Sequence, residues 1–133
     1  MQTLPLITYL THDYDDAIDW FTRALQFHLL EDTPQDNKRW VRMAPHQNAE
    51  TAFLIAKAST PAQSATVGNQ HGGRVGFFLN TTDFQASHAH MRREGVKFRE
   101  DPRHEPYGTV AVFEDLYGAP WDLLELKNHT AVT

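Results

Sequence analysis

The chain has no cysteine. That excludes disulfides, thiolate metal sites and cysteine nucleophiles together. Positive charge is scarce: 12 Lys and Arg stand against 17 Asp and Glu, for a formal net charge of −5. Nucleic acid is therefore not an expected partner, because gripping phosphates needs a surplus of Lys and Arg on one face. No apolar run approaches the roughly 20 residues of a membrane span, so no membrane partner is expected either. The start, Met1-Gln2-Thr3-Leu4-Pro5, has neither the basic nor the long apolar stretch of a secretion signal, and a cytoplasmic location is the expectation. What is present is an ordinary globular mixture, 41% hydrophobic and 22% charged over 133 residues. That is enough for one domain with a real core.

The most informative feature is a repeat. Asp13-Tyr14 recurs 70 positions later as Asp83-Phe84, and Thr51-Ala52-Phe53-Leu54 recurs at the same spacing as Trp121-Asp122-Leu123-Leu124. Between these anchors both halves run through the same order of signals: apolar run, amphipathic run, charged turn, apolar runs. A duplicated half-domain makes a pseudo-twofold molecule, and its expected ligand site is where the halves meet. The repeat singles out four related positions: Leu6, Ala52, Gly76 and Asp122.

The pattern predicts a first module over 4–57, a linker over 58–73 and a second module over 74–127. In the first, a strand from Leu6 to Leu10 leads to a helix capped by Asp13 or Thr11. Ala17, Phe21, Ala24 and Leu25 form its buried stripe. Strands are expected around Phe27 to Glu31, Arg39 to Ala44 and Thr51 to Lys57, with a hairpin turn at Pro34 to Asn37. The linker is rich in Ala, Ser, Thr, Gln and Gly. The second module has a strand from Arg74 to Asn80, then a helix capped by Thr82 or Asp83 and stopped at Gly95. Strands follow at Val96 to Arg99, Thr109 to Glu114 and Trp121 to Lys127, with a charged loop from Glu100 to Gly108. Each half is thus β-α-β-β-β.

Three stretches carry a family resemblance: Asp13-Tyr14-Asp15-Asp16-Ala17-Ile18-Asp19-Trp20-Phe21; Lys38-Arg39-Trp40-Val41; and Pro106-Tyr107-Gly108 followed by Val110 to Gly118. With the paired modules, they make the chain resemble the vicinal oxygen chelate superfamily of glyoxalases, extradiol dioxygenases and bleomycin-resistance proteins. The resemblance implies an α+β fold in which two tandem βαβββ modules curl a mostly antiparallel sheet into a cup. It also implies a homodimer. Metal-dependent members of that superfamily hold an ion with His, Gln or Glu on the first and last strand of each module. Carried over residue by residue, those places fall on Leu6, Ala52, Gly76 and Asp122. Only Asp122 has a donor, whereas a catalytic zinc takes about three protein ligands and hard cations several oxygens. No metal and no cofactor are therefore expected.

Strand alternation defines the cup wall. Leu6, Thr8 and Leu10 share a face, as do Ala52, Leu54 and Ala56. In the second module Gly76, Phe78 and Asn80 go together, and so do Asp122, Leu124 and Leu126. The opposite face, with Ile7, Tyr9, Phe53, Ile55, Phe77, Leu79, Trp121 and Leu123, is greasier and should cover the helices. The cup is then an apolar pocket with few polar points. Trp40 either lines it or packs between strands, and Trp20 and Trp121 are core aromatics. Asp122 is the catalytic candidate. It is either a general acid or base with raised pKa, or the counter-charge of a cationic ligand, or a carboxylate paired with Arg42 or Arg74. His104 and Tyr107, with Arg103 and Glu105, sit in the charged loop that could close the mouth as a lid. The other histidines, 12, 28, 46, 71, 88, 90 and 129, read as solvated surface residues. His88 and His90 are two apart on a helix and cannot share a ligand.

The function expected is small-molecule binding in the apolar cup without the family's full metal site, with or without catalysis. One rival is a metal-dependent lyase, isomerase or dioxygenase using Asp122 with His71 or His104. The other is a partner-binding module whose cup is filled by Phe78, Leu54 and Leu124.

Overall fold

A computed structural model describes residues 1–127; His129 lies outside the described residues. The chain forms two compact units, Met1–Val67 and Gly68–Thr133. The first contains β1 (Leu6–Thr11), α1 (Tyr14–Ala24), β2 (His28–Gln35), β3 (Lys38–Ala44), β4 (Ala52–Lys57) and a short α2 (Pro61–Thr66). The second contains β5 (Phe77–Asn80), α3 (Phe84–Arg93), β6 (Arg103–Glu105), β7 (Gly108–Glu114) and β8 (Pro120–Leu126). The sheets run β1-β4-β3-β2 and β5-β8-β7-β6, and neither closes on itself. In each, the first and last strands are parallel and the other pairs antiparallel. This is the α+β arrangement of two βαβββ modules that the repeat predicts.

The repeated aspartates explain why both helices start where they do. The Asp13 carboxylate accepts from the Asp16 N–H at 2.9 Å, and Asp83 accepts from Ala86 at 3.1 Å. Each satisfies a first-turn donor that has no partner inside the helix. The hydroxyls of Thr11 and Thr81 accept from the N–H of Asp13 and Asp83 in the same way. At the far end of α3, Gly95 takes a left-handed φ of 85°, and the Val96 N–H closes the helix on the Met91 carbonyl.

Behind the first sheet, α1 buries Ala17, Trp20, Phe21 and Ala24. The Phe21 ring meets Tyr9 at 5.0 Å edge-on, Phe27 at 5.3 Å and Phe53 at 5.8 Å. Burying each such side chain is worth about 1.5–3 kcal/mol. Behind the second sheet, α3 buries Phe84 and Met91, while Phe113, Trp121 and Leu123 supply the sheet's side of the core. The greasy face expected from alternation is therefore the one that covers the helices.

Three expectations need correction. Pro34 lies inside β2, not in a turn; β2 is the sheet's edge, where a residue without an N–H costs no ladder bond. The turn is Asp36-Asn37, with Asp36 at φ 50°. In the second module Val96 to Arg99 is not a strand: Phe98 makes a single bridge to Phe113, and the strand comes later as β6, inside the expected loop. The physical reason is Glu100, whose carboxylate takes the Val112 N–H at 2.9 Å and displaces a ladder carbonyl there. Finally, the linker carries α2. Thr60 caps it by accepting from the Gln63 N–H, Pro61 opens it, and Gln63 reaches back to the Ser59 N–H at 2.8 Å.

Candidate functional site

Each sheet has one face toward its helix and one open face. In the first unit Leu6 pairs with Ala52, Thr8 with Leu54 and Leu10 with Ala56. Arg42 pairs with Leu54 across the next strand boundary. Leu6, Thr8, Trp40, Ala52 and Leu54 thus share the open face, as alternation requires. Trp40 is half-buried there. Arg42 is paired on that face with Glu31 at 2.9 Å, and Glu31 also accepts from Thr33. This guanidinium holds the Glu31 carboxyl below the usual carboxylate range.

In the second unit Phe78 pairs with Asp122 and Asn80 with Leu124. Val112 lies beside Asp122, and Arg103 beside Val110. Phe78 is 65% exposed in the middle of its strand. Arg103 bonds Glu100 and Glu105, each at 2.8 Å. Burial pushes the Asp122 carboxyl up from its ordinary value; Arg103 opposes that push and Glu100 adds to it. No ion pair with Arg42 or Arg74 forms: Arg42 belongs to Glu31, and Asp122 bonds no described side chain.

The four positions named by the repeat do not form one equivalent set. Leu6 stands opposite Ala52, but Asp122 stands opposite Phe78, while Gly76 donates its N–H to Pro120. The parallel pairing of the second unit is offset by two residues from the sequence alignment. Neither register supplies a second donor beside Asp122, since Leu6, Ala52, Gly76, Phe78 and Pro120 have no ligating side chain. The imidazole of His71 stands where a side chain at Gly76 would go, so a larger residue there would have to displace that ring. Among the described residues, no three His, Asp or Glu side chains come together as a metal set. With one carboxylate and no second ligating side chain, the residues at these positions do not fit a metal ion.

The charged segment that holds His104 and Tyr107 is a strand and a tight turn. His104 lies on β6 and reaches the Thr109 hydroxyl at 3.2 Å. It borders a hollow with Phe84 and His88, on the helix side of the sheet and away from Asp122. Tyr107 is in the short turn before β7 and is half-exposed. The turn Asp115 to Pro120 owes its shape to one buried carboxylate. Asp115 accepts from the Tyr117 and Ala119 N–H groups and, at 2.9 Å, from the indole N–H of Trp121.

One group of residues escaped the sequence. A cavity of about 490 Å³ is lined by Tyr14, Lys38, Trp40, Leu54, Lys57 and their neighbours. Residues 38 and 57 are far apart in the chain. The antiparallel pairing of β3 with β4 brings the start of one beside the end of the other. No sequence spacing signals that meeting.

Residues 3–123 match the model of the Glyoxalase/Bleomycin resistance protein/Dioxygenase superfamily. An uncharacterized protein from Shewanella frigidimarina is 47% identical over 96% of both chains. Among solved structures, UcmS2 is 25% identical with a TM-score of 0.81, covering 93% of this chain and 98% of its own. TnmS3, an antibiotic binding protein from Streptomyces sp. CB03234, is 26% identical with a TM-score of 0.76, covering 96% and 98%. With its two βαβββ units and a family match across nearly its full length, this chain belongs to the glyoxalase/bleomycin resistance protein/dioxygenase superfamily.

Proposed function

We propose that this protein binds a small organic molecule on its open sheet faces and does so without a metal ion. The observation that carries the proposal is Phe78. A phenylalanine in mid-strand, opposite a carboxylate and 65% exposed, is a large apolar surface offered to a ligand. A structural relative is itself an antibiotic binding protein. Trp40, Leu54, Leu6, Thr8 and Ala52 are the proposed contacts in the first unit, and Phe78, Asn80 and Leu124 in the second. Asp122, with its raised pKa, is the proposed proton carrier or counter-charge. The position of His104 on the helix side argues against a contact role for it, and Tyr107 is proposed only as a rim residue. A homodimer working in the cytoplasm completes the proposal, and light scattering tests the dimer.

A thermal-shift screen of small organic molecules, run with EDTA and with added Zn, Ni, Mn or Fe, tests this reading. A ligand that binds the native but not the unfolded state raises the melting temperature by mass action. The expected result is organic hits of equal size under both conditions. Stabilisation that appears only with a metal would overturn it.

A further inference from the structure

We infer that the cavity at the end of the first sheet is a receptor for an anionic aromatic molecule, an inference that rests on the small-molecule reading above and names its ligand class. The cavity measures about 490 Å³, within the roughly 300–1,000 Å³ of small-molecule sites. Leu54, Ile55 and Ala56 give it an apolar lining, and Trp40 adds a large aromatic residue.

The polar part of the lining is one-sided. Lys38, Arg39 and Lys57 line it and no carboxylate does, in a chain whose net charge is −5. Arg39 is already engaged: it pairs with Asp32 at 2.6 Å and with Asp15 at 3.0 Å. Lys38 and Lys57 make no ion pair with a described residue. The Tyr14 phenol accepts the Arg39 backbone N–H at 3.3 Å, which leaves its own proton to donate. Asn37 adds an amide at the rim. Two uncommitted ammonium groups, a phenol donor and an aromatic residue make a site that rewards negative charge on a planar body. Asp36 and Asp32, the latter already paired with Arg39, border the adjoining hollow and not this cavity. The source of selectivity is therefore charge complementarity at the rim, with the apolar lining supplying most of the affinity.

Calorimetry with three probes of one shape tests this: 2-naphthoate, neutral 2-naphthamide and 2-naphthylmethylammonium. The expected order is naphthoate tightest and the ammonium weakest, with naphthoate affinity falling as salt rises. In the double variant K38Q/K57Q, naphthoate should lose about three- to tenfold and its preference over naphthamide should vanish. Trp40→Ala should weaken naphthoate and naphthamide alike. If the ammonium binds as tightly as naphthoate, if the lysine variant keeps the preference, or if no probe binds at millimolar concentration, the inference is wrong. A neutral or cationic hit in the thermal-shift screen would then leave the broader small-molecule function standing, so the two failures are distinguishable.

Discussion

The two units share an element order and a capping scheme, yet their open faces carry opposite arrangements. In the first, the one charged pair is internally balanced, Arg42 with Glu31, and the uncommitted charges at the adjoining cavity are lysines. In the second, Arg103 is shared between Glu100 and Glu105, and Asp122 beside them has no bonded partner. Phe78 is 65% exposed opposite Asp122, whereas Leu6, in the corresponding pairing position opposite Ala52, is half-buried. The two halves share what each needs in order to fold and differ in the residues on their open faces. The aspartate caps are identical because a helix start needs them; the open faces differ because folding does not constrain them.

The largest expected effect breaks the contrast between covered and open aromatics. Phe21→Ala removes a fully buried ring touching Tyr9, Phe27 and Phe53, and should cost about 3–5 kcal/mol in urea unfolding. A loss under 1 kcal/mol would mean that the helix side of the first sheet is not the core. Next, Asp115→Ala should cost roughly 2–3 kcal/mol, because it orphans the buried Trp121 indole N–H and frees two backbone donors of the β7–β8 turn. The first unit has no buried carboxylate in its equivalent loop 45–51, so no substitution there should cost as much.

A pH titration sharpens the comparison further. Burial, aided by Arg92, holds the His88 pKa below its ordinary value, against a smaller pull from Asp101. The unfolded chain then binds the proton more readily, so stability should fall as pH drops below about 6.5 and His88→Gln should flatten that limb. Asp122 has the opposite sign. Its folded pKa is raised, so the folded state binds the proton more tightly; the stability this contributes is full below the unfolded value near 3.9 and is lost as pH rises from there through the higher folded value. Asp122→Asn should therefore raise the melting temperature at neutral pH by ~2 °C, with no gain at pH 3. The smallest effect on folding belongs to Phe78→Ser, within about 0.5 kcal/mol of the parent, while ligand hits on the second unit's face weaken. A large loss of stability there would show that Phe78 is packed, in support of a partner-binding module.

Much of this was legible in the sequence, and the reasons are local. Asp13 and Asp83 stand where a helix must begin, and Gly95 where one must end, so the elements could be placed from single residues. Face assignment followed from alternation, which put Tyr9, Phe53 and Trp121 inward and Leu54, Phe78 and Asp122 on the open side. Most of the misses concern pairing between distant segments. The two-residue offset of Asp122 against Phe78 is set by strand register, which the 70-residue repeat cannot fix. The displaced third strand follows from a side chain, Glu100, taking a backbone donor. Lys38 and Lys57 line one cavity only because β3 and β4 are antiparallel. The helix over Pro61–Thr66 did have a signal, the Thr60-Pro61-Ala62-Gln63 capping box, hidden in a composition that reads as linker.

The central claim is that this member of the superfamily keeps the fold but not the donors for an ion. Metal analysis of protein purified without chelator tests it most directly. The account predicts substoichiometric Zn, Ni, Mn and Fe, unchanged by Asp122→Ala. One tightly held equivalent per chain, lost in that variant, would contradict it.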